Sequence, residues 1–251
     1  MANRILVTGL SGLIGQALLP SLSSYGSVRS LNRRVVDGVD SVQASILNYD
    51  DIRTAFDDVD VVVHLAAKAG ERYSWDDLHT TNIQGTFNVL TAAVDAGCRR
   101  VIFASSGATV SGYETVEPYK TLVSGIYDNA PPQWNLIDHT WATRPSGKYG
   151  TTKVWGEAFS RHIVDTTEMS VFCVRIGYVN RDDRPGRPRD FSIWCSQRDI
   201  VSALTKSIEA DSSNLLETFF VTSRNKWGYR DLTHAEQVVG FVPQDEAEAY
   251  R

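Results

Sequence analysis

The chain of 251 residues contains few cysteines and no excess of basic residues. Its three cysteines, Cys98, Cys173 and Cys195, are widely spaced and include no CxxC pair. This pattern argues against a disulfide framework and against a zinc site, and we expect no metal. Cys98 and Cys173 lie in or beside apolar runs, so we expect buried, reduced thiols there. The balance of 25 basic against 30 acidic residues argues against a nucleic-acid partner.

Long hydrophobic runs, internal repeats and low-complexity tracts are also missing from the sequence. No apolar run approaches the ~18 residues of a membrane span, so we expect no membrane partner. The first residues, MANRILVTGL, lack the apolar segment of a signal peptide, which favours a cytoplasmic location. The length fits one large α/β domain, or one domain with a small appendage.

Buried strands and helices are expected to alternate along the first 177 residues. Short apolar runs predict the strands, and apolar residues at helical spacing predict the helices between them. Such alternation predicts a Rossmann-type, doubly wound parallel sheet in an α/β fold. The predicted strands are 4–9, 27–31, 59–67, 100–106 and 170–177, and the predicted helices are 13–26, 50–58, 76–97 and 150–167.

The remaining residues, 178–251, are expected to form a small C-terminal substrate cap rather than an independent domain. They carry one predicted helix (198–210) and one predicted strand (217–223). Residues 1–177 would then be the dinucleotide-binding domain, interrupted by a long, lid-like loop at 107–148. A loop of this length in a compact domain is either functional or mobile.

Two tryptophans in that loop, Trp134 and Trp141, have two possible roles. They close over a substrate and exclude water, or they pack the loop onto the body or onto another subunit. We favour packing, because large aromatic side chains are more often buried than free. A strand histidine, His64, is interpreted in the same way, as a hydrogen-bonded core residue rather than a catalyst.

The sequence TGLSGLIG (8–15) places Gly9, Gly12 and Gly15 between a predicted strand and a predicted helix. Gly9 permits a tight turn, and Gly12 lets backbone N–H groups approach a diphosphate at the helix N-terminus. Gly15 allows the helix to pack closely on the strand. The alternative is a packing turn without a ligand, but the strand–turn–helix context favours a dinucleotide site.

Three polar residues are candidates for the chemistry. Tyr149 and Lys153 are four residues apart and share a helix face, where an ammonium group favours the phenolate. A tyrosine tuned in this way exchanges a proton with a substrate hydroxyl. Ser106 ends a strand at the sheet edge where open α/β sheets bind ligands, and it could hydrogen-bond the same oxygen.

Six motifs, in this order, resemble those of the extended short-chain dehydrogenase/reductases, in the NAD(P)-dependent epimerase/dehydratase family. The chain length and the IWCSQRD stretch (193–199) are most similar to uronate dehydrogenase and related sugar-6-phosphate dehydrogenases. Together the motifs cover about residues 4–177: TGLSGLIG, HLAA (64–67), TNIQGT (81–86), FASS (103–106), YGTTK (149–153) and VRIG (174–177).

The resemblance implies a role for each matching residue. Tyr149 is the catalytic acid/base, Lys153 lowers its pKa and holds the nicotinamide ribose, and Ser106 orients the substrate oxygen. Substrate contacts are Ser106, Gly107 and Arg189. The implied cofactor contacts are Gly9, Ser11, Gly12, Leu13, Ile14, Gly15, Ser45, Ile46, Leu65, Ala66, Ala67, Asn82, Tyr149, Lys153 and Ile176.

The chain departs from this pattern at three places. Ser45 stands where the family usually has aspartate. Gly107 and Ala108 stand where uronate dehydrogenases have the Asn-His that contacts the sugar, so uronate itself is in question. Arg189 matches the family's arginine for the substrate carboxylate, and an arginine fork suits a carboxylate or a phosphate. The alternative is a solvated arginine in a charged loop.

Cofactor choice depends on the end of the second predicted strand. NAD-dependent members place an acidic residue there for the ribose 2′-hydroxyl, but this chain has Asn32, followed by Arg33 and Arg34. An amide does not repel a 2′-phosphate, and arginines offer bidentate phosphate contacts. We therefore expect NADP to be favoured, with NAD possible; the alternative is a solvated surface loop.

The expected function is NAD(P)-dependent hydride transfer to or from a small carbohydrate, such as an aldose, a uronate or a sugar phosphate. One alternative is an epimerase or dehydratase that recycles its cofactor within each turnover. A non-catalytic dinucleotide sensor is a further alternative, disfavoured by the intact Ser106, Tyr149 and Lys153. The resemblance also implies a homo-oligomer paired through helices 76–97 and 150–167.

Overall fold

A sheet of seven parallel strands forms the centre of the computed structural model, which describes residues 3–211 and 215–251. The strand order is β3-β2-β1-β4-β5-β6-β7, and every neighbouring pair is parallel. The strands are β1 (Asn3–Thr8), β2 (Gly26–Asn32), β3 (Asp40–Gln43), β4 (Val61–His64), β5 (Arg100–Ser106), β6 (Ser170–Ile176) and β7 (Leu216–Val221).

The order reverses direction between β1 and β4, where a doubly wound sheet opens its ligand crevice. The helices are α1 (Leu13–Leu22), α2 (Tyr49–Ile52), α3 (Trp75–Leu78), α4 (Gly85–Asp95), α5 (Tyr119–Ser124), α6 (Lys148–Thr166), α7 (Asp190–Ile193), α8 (Gln197–Glu209) and α9 (Thr233–Val239).

Helices cover both faces of the sheet because alternate strand residues point to opposite sides. Val61 and Val63 of β4 pack in one core with α1, α8 and α9, whereas Val62 packs in a second core with α2, α4 and α6. Strand β4 is therefore apolar on both faces, as a central strand of a buried parallel sheet requires. The predicted Rossmann-type fold class is confirmed.

Most predicted elements appear with shifted ends. Helix α1 ends at Leu22, and the predicted helix 76–97 is built from α3, a π-helical stretch (His79–Gln84) and α4. The predicted strand 59–67 is shortened to β4. Strand β3 was not predicted, because its sequence DSVQ is polar and lies partly exposed at the sheet edge.

The C-terminal residues contribute to the sheet as well as covering it. Strand β7 pairs in parallel with β6, and α8 and α9 supply buried side chains to the first core. The sheet therefore continues past residue 177, which a sequence pattern broken by the loop 180–190 did not predict. The division into a dinucleotide-binding domain (1–177) and a substrate cap (178–251) stays a prediction.

The long loop 107–148 has structure of its own. It contains two 3-10 stretches (Gly107–Thr115 and Tyr127–Asn129) and α5, and it packs on the C-terminal part in a third apolar cluster. Trp134 Nε1 donates to the Gly228 carbonyl over 2.9 Å, and Trp141 packs edge-on against Tyr113 and Tyr119. These contacts agree with the favoured packing interpretation, and the lid-like role of the loop stays a prediction.

Buried groups elsewhere behave as the sequence indicates. All three cysteines are free and buried, and burial raises the pKa values of Cys98 and Cys173 to about 12. His64 is buried between the hydroxyls of Thr8 and Thr86, at 2.7 and 3.1 Å, and burial lowers its pKa to about 3. It is a core histidine. In the described ranges, no helix is long and apolar enough to cross a membrane.

Candidate active site

The glycine turn after β1 forms a cradle that only glycine accommodates. Gly9 has φ +75°, and a Cβ there would lie 2.7 Å from the backbone nitrogen of Ala66. Gly12 is the N-cap of α1, and its N–H donates to the Gly9 carbonyl over 2.9 Å. The turn therefore brings backbone close to a ligand at the helix N-terminus, where an anion is stabilised.

A cavity of about 550 Å³ opens beside this cradle. Ten predicted cofactor residues line it: Gly9, Ser11, Gly12, Asn32, Arg33, Arg34, Ser45, Ile46, Ala66 and Ala67. Sequence reasoning missed five more lining residues, four at the same strand ends and loops and one in the π-helical stretch: Leu31, Ala44, Leu47, Lys68 and, in that stretch, Thr81. The sequence signal for these five residues is their position in or beside the matched motifs and strand ends.

The hydrogen bonds of Asn32 indicate whether this cavity suits a dinucleotide. Its side chain is 6% exposed; Oδ1 accepts from the Ser11 N–H over 3.3 Å, and Nδ2 has no partner. A buried amide donor without a partner is costly unless a ligand satisfies it. The ribose oxygens of a dinucleotide lying on the glycine cradle would supply such an acceptor, so the residues present fit this cofactor.

The other predicted contacts at this end lie outside the lining of that cavity, and their contacts with the cofactor stay predictions. Gly15 is buried, and a Cβ there would overlap the Leu10 backbone; Ile14 packs against the first core. Ile176 lies beside Ser106 in the sheet register. Leu13 and Leu65 also lie outside the lining.

Asn82, another predicted cofactor contact, hydrogen-bonds within the protein, and its contact with the cofactor stays a prediction. Its Oδ1 accepts from the Lys68 N–H over 2.8 Å, while Nδ2 donates to the Lys68 carbonyl and to Thr152 Oγ1, both over 3.1 Å. Thr152 Oγ1 in turn donates to the Tyr149 carbonyl over 2.8 Å. The amide is thus used within the protein, where it ties the loop after β4 to helix α6.

Ser106, Tyr149 and Lys153 meet at the carboxyl ends of β5 and β6. Tyr149 lies in the first turn of α6, and the Ser106 side chain is near enough to its phenol to oppose the rise of the Tyr149 pKa. Lys153 is 3% exposed; its Nζ donates to the Ala104 carbonyl over 2.7 Å and lies 5.8 Å from the centre of the Tyr149 ring. The structure therefore brings the three predicted catalytic residues together.

The expected effect of Lys153 on Tyr149 is wrong for this arrangement. Burial raises the pKa of Tyr149 to about 12, and the hydrogen bond with Ser106 only partly opposes the rise. Burial also lowers the pKa of Lys153 to about 8. The physical reason is geometric: the ammonium group is directed to a backbone carbonyl rather than to the phenol.

Glu71 is a residue of this site that sequence reasoning missed. Its Oε1 accepts from the N–H of Tyr149 over 3.0 Å, at the N-terminus of α6. A carboxylate is favourable at that end of a helix dipole. The same charge contributes to the raised pKa of Tyr149. No sequence motif marks Glu71, because it lies 78 positions away in the chain.

Arg189 shares an ion pair with a carboxylate of the protein, and its contact with the substrate stays a prediction. Its Nε and Nη2 donate to the carboxylate of Glu114 over 2.6 and 2.8 Å, so this edge of the guanidinium is occupied. The Tyr229 hydroxyl also donates to Glu114, over 2.6 Å. Burial alone would raise the pKa of Glu114, but the hydrogen bond and charge of Arg189 keep it below its usual value.

Gly107, the remaining predicted substrate contact, offers no side chain to a substrate. A Cβ at this position would overlap Cζ and Nη1 of Arg230, so the glycine leaves the space that the guanidinium fills. Its carbonyl accepts from Nη2 of Arg230 over 3.1 Å. The position therefore determines where an arginine lies, and it is not shown to contact a sugar.

The fold and site together define a class of protein. A parallel sheet in this order, a glycine cradle after β1 and a Ser–Tyr–Lys set at the ends of β5 and β6 are the features of a dinucleotide-dependent enzyme of the short-chain dehydrogenase/reductase type.

Comparison with known proteins identifies the family. The model of the "NAD dependent epimerase/dehydratase family" matches residues 5–180, and the chain belongs to this family. The NAD-dependent glucose-6-phosphate dehydrogenase of Haloferax volcanii is 32% identical, over 98% of this chain and 95% of its own length. An L-arabinose 1-dehydrogenase (NAD(P)(+)) of the same organism is 29% identical, over 97% of each chain.

A solved structure supports the same grouping. It is a variant uronate dehydrogenase from Agrobacterium tumefaciens complexed with NAD, with 26% identity and a TM-score of 0.82, covering 100% of this chain and 88% of that chain. The resemblance stated from the motifs is confirmed. The predicted class of oxidoreductase is confirmed at the level of the homologues, which are NAD-dependent sugar dehydrogenases.

Proposed function

We propose that this chain oxidises a hydroxyl group of a small sugar with NAD(P) as the hydride acceptor. The observation that carries this proposal is the meeting of Ser106, Tyr149 and Lys153 at the same sheet edge as the glycine cradle. The names of the relatives, which oxidise glucose 6-phosphate and L-arabinose, support a sugar as the substrate.

The proton follows a short path in this proposal. Ser106 and Tyr149 hydrogen-bond the reacting hydroxyl, and the phenolate form of Tyr149 takes its proton as the carbonyl forms. A nicotinamide cofactor held by the glycine cradle would supply the hydride acceptor and, in its oxidised form, a positive charge. Such a charge favours the phenolate, which counters the burial that raises the pKa of Tyr149.

Replacing Tyr149 with phenylalanine tests this proposal. We expect Tyr149→Phe to lower kcat by roughly 10²-fold or more, the scale of general acid–base catalysis, while sugar binding persists. Absorbance of the reduced cofactor across a panel of aldoses, uronates and sugar phosphates measures the effect. Near-wild-type turnover by the variant would contradict the mechanism. One reduced cofactor released per sugar consumed distinguishes a dehydrogenase from an epimerase or dehydratase.

We propose further that NADP is preferred to NAD. Arg33 and Arg34 are exposed and line the cavity next to Asn32, whose unpartnered Nδ2 is a donor with no negative charge to repel a phosphate. Replacing both arginines with glutamine is expected to weaken NADP binding about tenfold or more and to leave NAD binding nearly unchanged. Calorimetry with both cofactors measures this. Equal affinities in the unmodified protein would refute the preference.

A homo-oligomer in the cytoplasm stays a prediction. The oligomer is supported by the surface of α4 and α6, where Phe87 is 42% exposed and its ring lies 5.3 Å from that of Phe159. An apolar pair on an exposed helix face is expected to be covered by a second copy. Light scattering on the protein and on Phe87→Glu tests pairing: a monomer in both cases would rule it out.

A further inference from the structure

Arg230 is a buried arginine whose hydrogen bonds are incomplete. Its side chain lies in the segment between β7 and α9 and is 5% exposed. Nη2 donates to the Gly107 carbonyl over 3.1 Å and to the Tyr229 hydroxyl over 3.2 Å, while Nε and Nη1 have no partner among residues 3–211 and 215–251. A buried guanidinium without acceptors is costly, because removing a charge from water must be offset by hydrogen bonds.

The surroundings of Arg230 do not neutralise its charge directly. The rings of Phe220 and Tyr229 lie 5.9 and 5.2 Å from its Cζ. Among the described residues no carboxylate forms an ion pair with it. Glu114, the acid joined to it through the Tyr229 hydroxyl, is already bound by Arg189. One positive charge in this group therefore remains unmatched.

The other buried arginine near the sheet edge differs in this respect. Arg175 contacts the same Phe220 ring, at 5.1 Å, but its Nε and Nη2 donate to the carboxylate of Glu157 over 2.9 and 2.8 Å. Arg175 and Arg189 each share a bidentate ion pair, so neither brings uncompensated charge to the site. Arg230 alone of these three lacks one.

The protein holds Arg230 in place from two sides. The backbone of the long loop pairs with its segment: the Ile137 N–H donates to the Tyr229 carbonyl over 2.7 Å, and the Asp231 N–H donates to the Ile137 carbonyl over 2.9 Å. On the other side, only the missing side chain of Gly107 leaves room for the guanidinium. Its position is therefore fixed before a ligand arrives.

Gly107 directly follows Ser106, so the unmatched charge lies next to the residue that would hold the reacting hydroxyl. We propose that Arg230 binds the anionic group of the substrate, a phosphate or a carboxylate, and so restricts this enzyme to acidic sugars. The inference rests on the proposed function, because it takes Ser106 and Tyr149 as the reacting end of the site. A guanidinium with two free donor nitrogens suits either anion.

The first test compares acidic and neutral sugars. The probes are D-glucose 6-phosphate for the phosphate, D-glucuronate for the carboxylate and D-glucose as the neutral partner. We expect the unmodified protein to show a higher kcat/KM for at least one acidic sugar than for glucose. Arg230→Met is expected to lower kcat/KM for that acidic sugar by about 10- to 100-fold, the scale of charge-assisted hydrogen bonds, and to change glucose oxidation far less.

Two further variants separate binding from packing. Arg230→Lys keeps the charge without the fork, so we expect an intermediate loss on the acidic sugar. Gly107→Ala displaces the guanidinium without removing it and is expected to raise KM for the acidic sugar. The matched control is Arg224→Met, which removes an exposed arginine of the same segment and should leave both activities unchanged. Thermal unfolding of each variant shows which of them fold.

The outcomes distinguish failure of the inference from failure of the proposed function. A preference of the unmodified protein for glucose, or equal losses on acidic and neutral sugars in Arg230→Met and Gly107→Ala, would overturn the role of Arg230. Full turnover by Tyr149→Phe would overturn the mechanism instead. Calorimetry measures the binding of acidic sugars without turnover in two proteins, Tyr149→Phe and the double variant Tyr149→Phe with Arg230→Met. Equal affinity of the two proteins for the acidic sugar would also refute the inference.

Discussion

The two ends of the candidate site are built differently. At the cofactor end, around β1, β2 and β4, the ligand surface is largely backbone and small side chains, and Arg33 and Arg34 are exposed. At the substrate end, around β5, β6 and β7, buried charged side chains bind one another, as in the ion pairs of Arg189 with Glu114 and Arg175 with Glu157.

The difference corresponds to what each end has to recognise. A dinucleotide is a constant ligand, and a glycine cradle at a helix N-terminus binds its diphosphate through the main chain. A substrate differs between members of a family, and side chains from distant segments supply that selectivity. We therefore expect mutations at the cofactor end to act through backbone geometry and those at the substrate end to act through charge.

The largest expected effect breaks the buried charge pair at the substrate end. Arg175 and Glu157 have side chains 4% and 11% exposed, and Glu157 also accepts from Ser105 Oγ over 2.6 Å. Replacing Glu157 with glutamine leaves the guanidinium without its counter-charge, which typically costs about 3–5 kcal/mol. Urea unfolding of Glu157→Gln measures the change in the free energy of unfolding.

An exposed pair provides the control for that variant. Arg161 and Asp165 are 59% and 57% exposed, and exposed ion pairs contribute little to stability. Asp165→Asn should therefore leave the free energy of unfolding almost unchanged. A similar loss in both variants would mean that the substrate end does not depend on buried charge.

The next effect concerns backbone geometry at the cofactor end. Gly9→Ala places a Cβ 2.7 Å from the Ala66 nitrogen in a left-handed conformation (φ +75°), so the turn must shift. We expect dinucleotide affinity to fall about tenfold or more, together with a stability loss of about 1–2 kcal/mol from the strained φ. Fluorescence titration with the reduced cofactor measures the affinity.

Gly38 is the matched control for Gly9. It also has a left-handed φ (+81°), but a Cβ there would meet nothing within 4 Å. Gly38→Ala should therefore carry the conformational cost without the loss of affinity. Equal cofactor binding by Gly9→Ala and Gly38→Ala would show that the close approach to Ala66 is unimportant for the cradle.

The smallest effects are shifts in the pH dependence, where the two ends meet at Tyr149. Because burial raises the pKa of Tyr149 to about 12, the phenolate fraction grows with pH, and sugar oxidation should accelerate into the alkaline range. Glu71→Gln removes a charge that raises this pKa, so its profile should move to lower pH. Ser106→Ala removes a hydrogen bond that lowers it, so the remaining activity should move to higher pH.

Profiles of log kcat/KM against pH, measured with a saturating cofactor, test these directions. Lys148→Gln is a suitable control, because Lys148 is exposed at the start of the same helix and is not among the groups that shift the Tyr149 pKa. Shifts of Glu71→Gln and Ser106→Ala in the same direction would show that Tyr149 is not the titrating group.

The cofactor end was largely predictable from the sequence, with specific exceptions. Ten of its predicted contacts line one cavity because each lies at a strand end or in the turn that follows it. Asn82 was assigned to the cofactor because the resemblance places it on the long helix that lines the cofactor side; the structure adds that its amide ties Lys68 to Thr152. Strand β3 was missed because an exposed edge strand carries no apolar run.

The substrate end was predictable only for Ser106, Tyr149 and Lys153. The Arg189 guanidinium was expected to bind the substrate anion, because a sequence does not show that Glu114, 75 positions earlier, already pairs with it. Gly107 was given a substrate contact, whereas Arg230, 123 positions later, fills the space beside it. Glu71 and Tyr229 carry no motif at all.

The sequence by itself determined the order of strands and helices and the glycine cradle, because these follow from apolar patterns and from glycines within a few residues of one another. Only the tertiary structure decided which arginines are paired and which is free. The contacts of Arg189 with Glu114 and of Arg230 with Gly107 join residues 75 and 123 positions apart, brought together by the sheet and the long loop. In this protein the cofactor site is mainly a local property of the chain, and the charge at the substrate site is a property of the fold.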